Sequence, residues 1–232
     1  MQHTLEVVDD GDALARRAAA WVAARLRDTV AARGAVSFAV SGGRTPWAMF
    51  AHLEHEDVPW EQVVLYQVDE RVAPADDPDR NLGHLRAALA GAPADVRPMP
   101  VEADDLAAAC AEYAAGIPER FDLVHLGLGP DGHTASLVPG DPVLDVVDRL
   151  VATTGGTYQG RHRMTLTYPA LARADQLLWL VEGDTKREAL EGLLAGRRDL
   201  PAGRVTAGAS LIMADRAAAG PGPTGHHEGS GA

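Results

Sequence analysis

AVSFAVSGGRTPWAMFAHL, residues 35–53, decides the fold. Ala35 to Val40 is a short apolar run that reads as a buried strand. Ser41 to Pro46 is a polar glycine turn, and Trp47 to Leu53 reads as a helix. Upstream, Leu14, Ala18, Trp21, Val22, Leu26 and Val30 recur at three- and four-residue intervals, which predicts a helix with Asp12 as N-cap and Gly34 as its stop. Downstream, apolar runs at Val63–Val68, Phe121–Leu128, Leu150–Thr153, Leu177–Val181 and Ala209–Met213 read as strands. Helices are expected near Leu82–Leu89, Asp104–Ala115 and Thr185–Leu194. Strands alternating with helices give an α/β fold, a mostly parallel sheet with helices on both faces.

In such sheets a ligand lies beyond the carboxyl ends of the strands. The polar segments SGGRTP (41–46), DER (69–71), GLGPDGHTAS (127–136) and EGDTK (182–186) each follow a strand, so all four are expected along one edge. A single domain is expected over residues 1–216. The Gly- and Pro-rich stretch 217–232 reads as a disordered tail.

With 33 acidic against 21 basic residues, the net charge of −12 opposes nucleic acid and anionic membrane as partners. No run is long and apolar enough for a membrane span, and residues 1–17 lack the order of a signal peptide. Cys110 is the only cysteine, so no internal disulfide forms. The expected address is the cytoplasm, with no obligate protein partner.

An acidic chain that takes an anionic ligand must gather cations locally. Lys186 is the only lysine against 20 arginines, and it opens a helix after a strand. Arg163 could reach the same cleft and, with Lys186, neutralise a phosphate dianion. The Gly42-Gly43 turn ahead of a helix can aim backbone N–H groups at an anion, with Thr45 as cap and Pro46 in the first turn; it is also an ordinary strand–helix turn. His133 sits among glycines at a strand end, suited to act as a general base with Asp131 orienting its ring. His125, inside a strand, reads as a buried, hydrogen-bonded residue. Asp69 and Glu70 either bind hydroxyls and move protons or form a salt-bridged group with Arg71. No His/Cys cluster has metal-ligand spacing, and GxSxG is absent, so neither a metal nor an esterase-type serine is expected.

SGGRTP, DER, Arg80-Asn81, LGLGPDGHTASLVPG and RMTLT, in this order across Val36 to Met213, resemble the signature segments of the 6-phosphogluconolactonase family. The resemblance implies a Rossmann-like fold shared with glucosamine-6-phosphate deaminases. It implies hydrolysis of 6-phospho-D-glucono-1,5-lactone to 6-phosphogluconate, the second step of the oxidative pentose phosphate pathway, without a cofactor. It places the catalytic histidine on His133, its aspartate on Asp131, and a catalytic arginine on Arg71. Phosphate-binding positions fall on Gly42, Gly43, Arg44, Thr45, Arg163 and Lys186. Ser41, Asp69, Arg80 and Asn81 join them as expected substrate contacts. Two other readings exist on this fold. One is an amino-sugar-phosphate deaminase or isomerase, whose members typically carry tyrosine where Arg71 stands. The other is a sugar-phosphate sensor, which would need a basic DNA-binding module.

Overall fold

The computed structural model describes residues 2–220. In chain order the elements are β1 (Thr4–Val8), α1 (Gly11–Arg33), β2 (Val36–Val40), α2 (Arg44–Leu53), β3 (Val63–Gln67), β4 (Asp69–Arg71), α3 (Asn81–Ala88), β5 (Asp95–Arg97) and α4 (Leu106–Ala115). There follow β6 (Leu123–Gly127), β7 (Val151–Thr153), β8 (Arg163–Leu166), α5 (Tyr168–Leu171), β9 (Gln176–Val181), α6 (Arg187–Leu194), β10 (Ala209–Asp215) and α7 (Arg216–Ala219). The expected tail begins inside α7, because Asp215 caps that short helix by accepting from the Ala218 N–H at 2.8 Å. Residues 221–232 of the expected tail lie outside the described residues.

The main sheet is parallel throughout, in the order β1-β10-β9-β6-β2-β3-β5. From β2 the chain winds outward through β3 to β5, then returns to β6 on the other side of β2. The order therefore reverses between β2 and β6, and a crevice opens there at the carboxyl ends. SGGRTP follows β2 and GLGPDGH follows β6, so the two sharpest segments flank that crevice.

Strand periodicity divides the core. Phe38 and Val40 pack toward α1 and α2, while Ala39 faces the other layer with Val124 and Leu126. Helix α1 buries Leu14, Ala18, Val22 and Leu26, the stripe read from the sequence. Its N-cap is Asp10, not Asp12: the Asp10 carboxylate accepts from the Ala13 N–H at 2.8 Å, and Asp12 sits in the first turn beside Arg16. Gly34 ends the helix at φ 82°, a conformation that favours glycine.

A second, antiparallel sheet in the order β4-β8-β7 was not anticipated. DER is a strand, pairing Asp69 with Thr165 and Arg71 with Arg163. Val151–Thr153 is a strand too, but in this small sheet.

His125 departs from expectation. It is fully buried in β6, yet neither ring nitrogen has a hydrogen-bond partner among the described residues. Burial pushes its pKa down to about 3. An unfolded chain protonates histidine near 6.5, so the stability this neutral ring permits is whole above that pH. It is lost as pH falls from there toward 3, by about 1.4 kcal/mol per pH unit. His125→Leu should flatten that acid loss. It should also raise Tm at neutral pH by roughly 2–12 °C, since the orphaned polar atoms cost about 1–3 kcal/mol. A variant whose Tm falls in parallel with the wild type between pH 6.5 and 4 contradicts this.

Candidate active site

After β6 the chain turns on Gly129 and on Gly132, whose φ is 79°. A Cβ at Gly129 would lie 2.0 Å from His133 Nδ1 and 2.7 Å from Asp131 Oδ1, so only glycine lets these two side chains fold back over the turn. The bend is closed by Gly129 N–H donating to His133 O at 2.8 Å, and Thr134 Oγ1 ties it to Gly127 O at 2.9 Å. His133 Nδ1 stands 2.5 Å from Asp131 Oδ1, and the His133 backbone N–H donates to the same oxygen at 3.1 Å. Partial burial alone would raise the Asp131 carboxyl. The hydrogen bonds and charge of His133 outweigh that and hold it below the ordinary carboxylate range. An ionised Asp131 fixes the proton on Nδ1 and leaves Nε2 with its lone pair, the tautomer a general base needs. The ring is about one-fifth exposed and faces the crevice.

Opposite lies the start of α2. The helix begins at Arg44, earlier than expected, with Gly43 at the N-cap position, φ 137°, and no side-chain cap. Thr45 does not cap it: its hydroxyl donates to Glu182 Oε2 at 2.6 Å. The first-turn N–H groups are thereby left without a side-chain acceptor. A Cβ on Gly42 would lie 1.9 Å from Asn81 Oδ1, so that glycine admits the asparagine. Asn81 Nδ2 donates to Asp69 O at 3.0 Å, and its Oδ1 accepts from Arg71 Nη1. Ser41 is buried, its hydroxyl unpartnered among the described residues. Lys186 follows a turn at Gly183. Desolvation lowers its ammonium's pKa, Asp131 opposes that shift, and Arg44 adds to it.

Strand β4 sorts its side chains by alternation. Asp69 and Arg71 face the crevice, and Glu70 faces away. Burial raises the Asp69 pKa, with its Oδ2 accepting from Ser136 Oγ at 2.7 Å. Arg163, 4% exposed, donates to Tyr158 O at 3.0 Å and Gln159 Oε1 at 3.3 Å. Desolvation, then Arg71, lowers its pKa. Glu70 pairs with Arg80, not Arg71, at 3.2 Å.

Arg80 is the expected contact that the structure takes out of the site. Its side chain is 2% exposed and turned inward onto Glu70, Glu102 and the Ala73 carbonyl. A buried carboxylate holds it, and it does not line the crevice.

The crevice has a volume of about 450 Å³. The other expected contacts line it, Asp131 standing behind His133 as its partner. All four strand-end segments meet there. The sequence reading missed Tyr158, Gln159 and Glu182, which also line it. Glu182 opens the EGDTK segment, where an acidic side chain gives no sign of an anion site. Tyr158 and Gln159 lie in GTYQG, whose flanking glycines signal a hairpin turn. Among the described residues no group of three or more His, Cys, Asp or Glu side chains is set to hold a metal ion, and no helix is long and apolar enough to cross a membrane.

Comparison with known proteins bears directly on this site. The family described as glucosamine-6-phosphate isomerases/6-phosphogluconolactonase matches residues 9–213. The chain belongs to this family. It is 36% identical over 213 residues to a 6-phosphogluconolactonase of Synechocystis, spanning 86% of this chain and 88% of the relative. It is 33% identical over 242 residues to the 6-phosphogluconolactonase of Mycobacterium tuberculosis, spanning 94% and 98%. Among solved structures, a 6-phosphogluconolactonase from Shewanella baltica superposes with a TM-score of 0.82 at 26% identity, covering 92% of this chain and 98% of that one. The family and the parallel α/β fold expected from the sequence are thus both borne out.

Proposed function

We propose that this family member hydrolyses 6-phospho-D-glucono-1,5-lactone to 6-phosphogluconate, the second step of the oxidative pentose phosphate pathway, in the cytoplasm. One observation carries the reading: His133, oriented by Asp131, shares a crevice with Lys186, Arg163 and the uncapped start of α2. The names of the relatives point to the same substrate.

The phosphoryl group docks on Gly42, Gly43, Arg44 and Thr45 at the positive end of α2, with Lys186 and Arg163 supplying charge. Ser41, Asp69 and Asn81 meet the sugar hydroxyls. His133 Nε2 takes a proton from water as its oxygen attacks C1. Asp131 steadies the imidazolium. Arg71 faces the developing oxyanion. Collapse breaks the bond from C1 to the ring oxygen, and the imidazolium returns the proton to that oxygen. Base catalysis of this kind contributes about 10²–10⁴-fold.

Lys186→Ala should raise KM about 10–100-fold for the phosphorylated lactone, the loss of one charge-assisted contact, with kcat little changed. Glucono-1,5-lactone without phosphate should not feel the change. Equal losses on both substrates would make Lys186 a structural residue.

The deciding experiment follows ring opening of the phospholactone after subtraction of spontaneous hydrolysis, alongside ammonia release from glucosamine 6-phosphate. Enzymatic opening without ammonia supports the proposal. Ammonia without opening assigns the chain to the isomerase branch, and binding of 6-phosphogluconate without either turnover makes it a sensor.

A further inference from the structure

The hairpin between β7 and β8 reaches over the crevice, and it is built to hold one aromatic ring in place. Its tip is a two-residue turn with Gln159 at φ 53° and Gly160 at φ 80°. That left-handed pair is closed by Tyr158 N–H to Arg161 O at 2.9 Å and Arg161 N–H to Tyr158 O at 3.3 Å. A glutamine at positive φ is strained, and such strain persists only where the surroundings impose it. The surroundings are dense. Arg163 donates to the Tyr158 carbonyl and the Gln159 side chain, and its guanidinium lies 5.7 Å from the Tyr158 ring centre. Asp141 accepts from the N–H groups of Gly155 at 3.0 Å and Gly156 at 2.9 Å at the hairpin's base. Arg161 is ion-paired with Asp77.

What this frame presents is Tyr158, edge-on to His133: ring centres 5.1 Å apart, planes at 62°. Asp131 holds the imidazole at Nδ1 alone, and a single hydrogen bond leaves the ring free to swing about that contact. The tyrosine ring supplies a second point. Its hydroxyl is 3.5 Å from Nδ1, beyond a good hydrogen bond, and Asp131 already occupies that nitrogen. The ring, not the hydroxyl, does the work.

We infer that Tyr158 is the positioning residue that keeps His133 Nε2 aimed at the substrate, acting through ring contact from a rigid hairpin. This rests on His133 being the base, as proposed above.

The test measures kcat and KM for phospholactone opening in wild type, Tyr158→Phe, Tyr158→Leu, His133→Ala and the His133→Ala/Tyr158→Leu double variant. Tyr158→Leu should lower kcat about 3–10-fold with KM within about twofold, the loss of one aromatic pair. Tyr158→Phe should retain wild-type kcat. In the His133→Ala background Tyr158→Leu should cost nothing further, since it acts only through the imidazole. Should Tyr158→Leu not fold, Gly160→Ala strains the same turn and should lower kcat at least twofold, again with KM little changed.

The inference is overturned by unchanged kcat in Tyr158→Leu. It is equally overturned by a Phe variant as impaired as Leu, or by a loss that persists without His133, which would put Tyr158 on the substrate itself. Near-normal turnover in His133→Ala alone is a separate outcome: it removes the base assignment and the inference with it. An inactive His133→Ala beside a normal Tyr158→Leu removes only the inference.

Discussion

His133→Ala is expected to lower kcat by about 10²–10⁴-fold while leaving KM within a few-fold of wild type. That loss is about 3–5 kcal/mol of barrier, the whole contribution of a positioned base. The separation of kcat from KM follows from the geometry. The cationic end of the crevice is built from α2, Lys186 and Arg163, none of which depends on the imidazole for its place. His133→Gln should be no better, since an amide fills the space but takes no proton at neutral pH. Stopped-flow opening of the phospholactone, corrected for spontaneous hydrolysis, reads the effect. A His133→Ala enzyme within about threefold of wild type would require another base.

The second large effect concerns stability. The Glu70 carboxylate is fully buried and accepts from Gln67 Nε2 at 2.9 Å, from the backbone N–H of Arg71 at 2.7 Å and from those of Asn81 and Leu82 at 2.8 Å each. It also pairs with the buried Arg80. It therefore caps α3, seats the strand that carries Asp69 and Arg71, and compensates an interior guanidinium. Glu70→Ala abandons Arg80 to Glu102 at the rim and should cost about 3–5 kcal/mol. In a domain of this size that lowers Tm by about 6–20 °C. In an Arg80→Ala background the same change should cost markedly less, because the stranded charge is already gone. Thermal unfolding of the four proteins settles it, and a Glu70→Ala loss under 1 kcal/mol contradicts the account.

How far the sequence could be read follows from where its signals are local. The inner strands of the main sheet are buried and appear as largely apolar runs, and α1 carries its stripe in plain i, i+4 spacing. The strand-end rule then brought SGGRTP, DER, GLGPDGHTAS and EGDTK to one edge without any side-chain geometry. What stayed hidden depended on partners far along the chain. The short strands β4 and β8 show no period, and their pairing joins residues some ninety positions apart, as in Arg71 with Arg163. β1 and β5 carry charged or exposed residues on the sheet's edges and lack the apolar run. Arg80, beside an asparagine after an acidic loop, resembled a substrate contact; only the fold reveals that Glu70 draws it inward. Thr45 fitted a helix cap by sequence, but Glu182, just past the end of β9 and far along the chain, takes its hydroxyl. Tyr158 carried no chemical signal of its own, because its relation to His133 exists only once the hairpin folds over.

The sheet's order also dictates when it can be completed. Among the described residues β1 is the earliest strand along the chain and β10 the latest, and β1 pairs with β10 alone: Thr4–Val8 with Leu211–Asp215. At translation speeds of about 5–20 residues per second the opening segment waits roughly 10–40 s for its partner. Leu5 and Val7, which stay partly uncovered even in the finished protein, remain unprotected through that interval. Nascent chains halted before residue 209 should consequently be far more prone to capture by holding chaperones than chains halted after it.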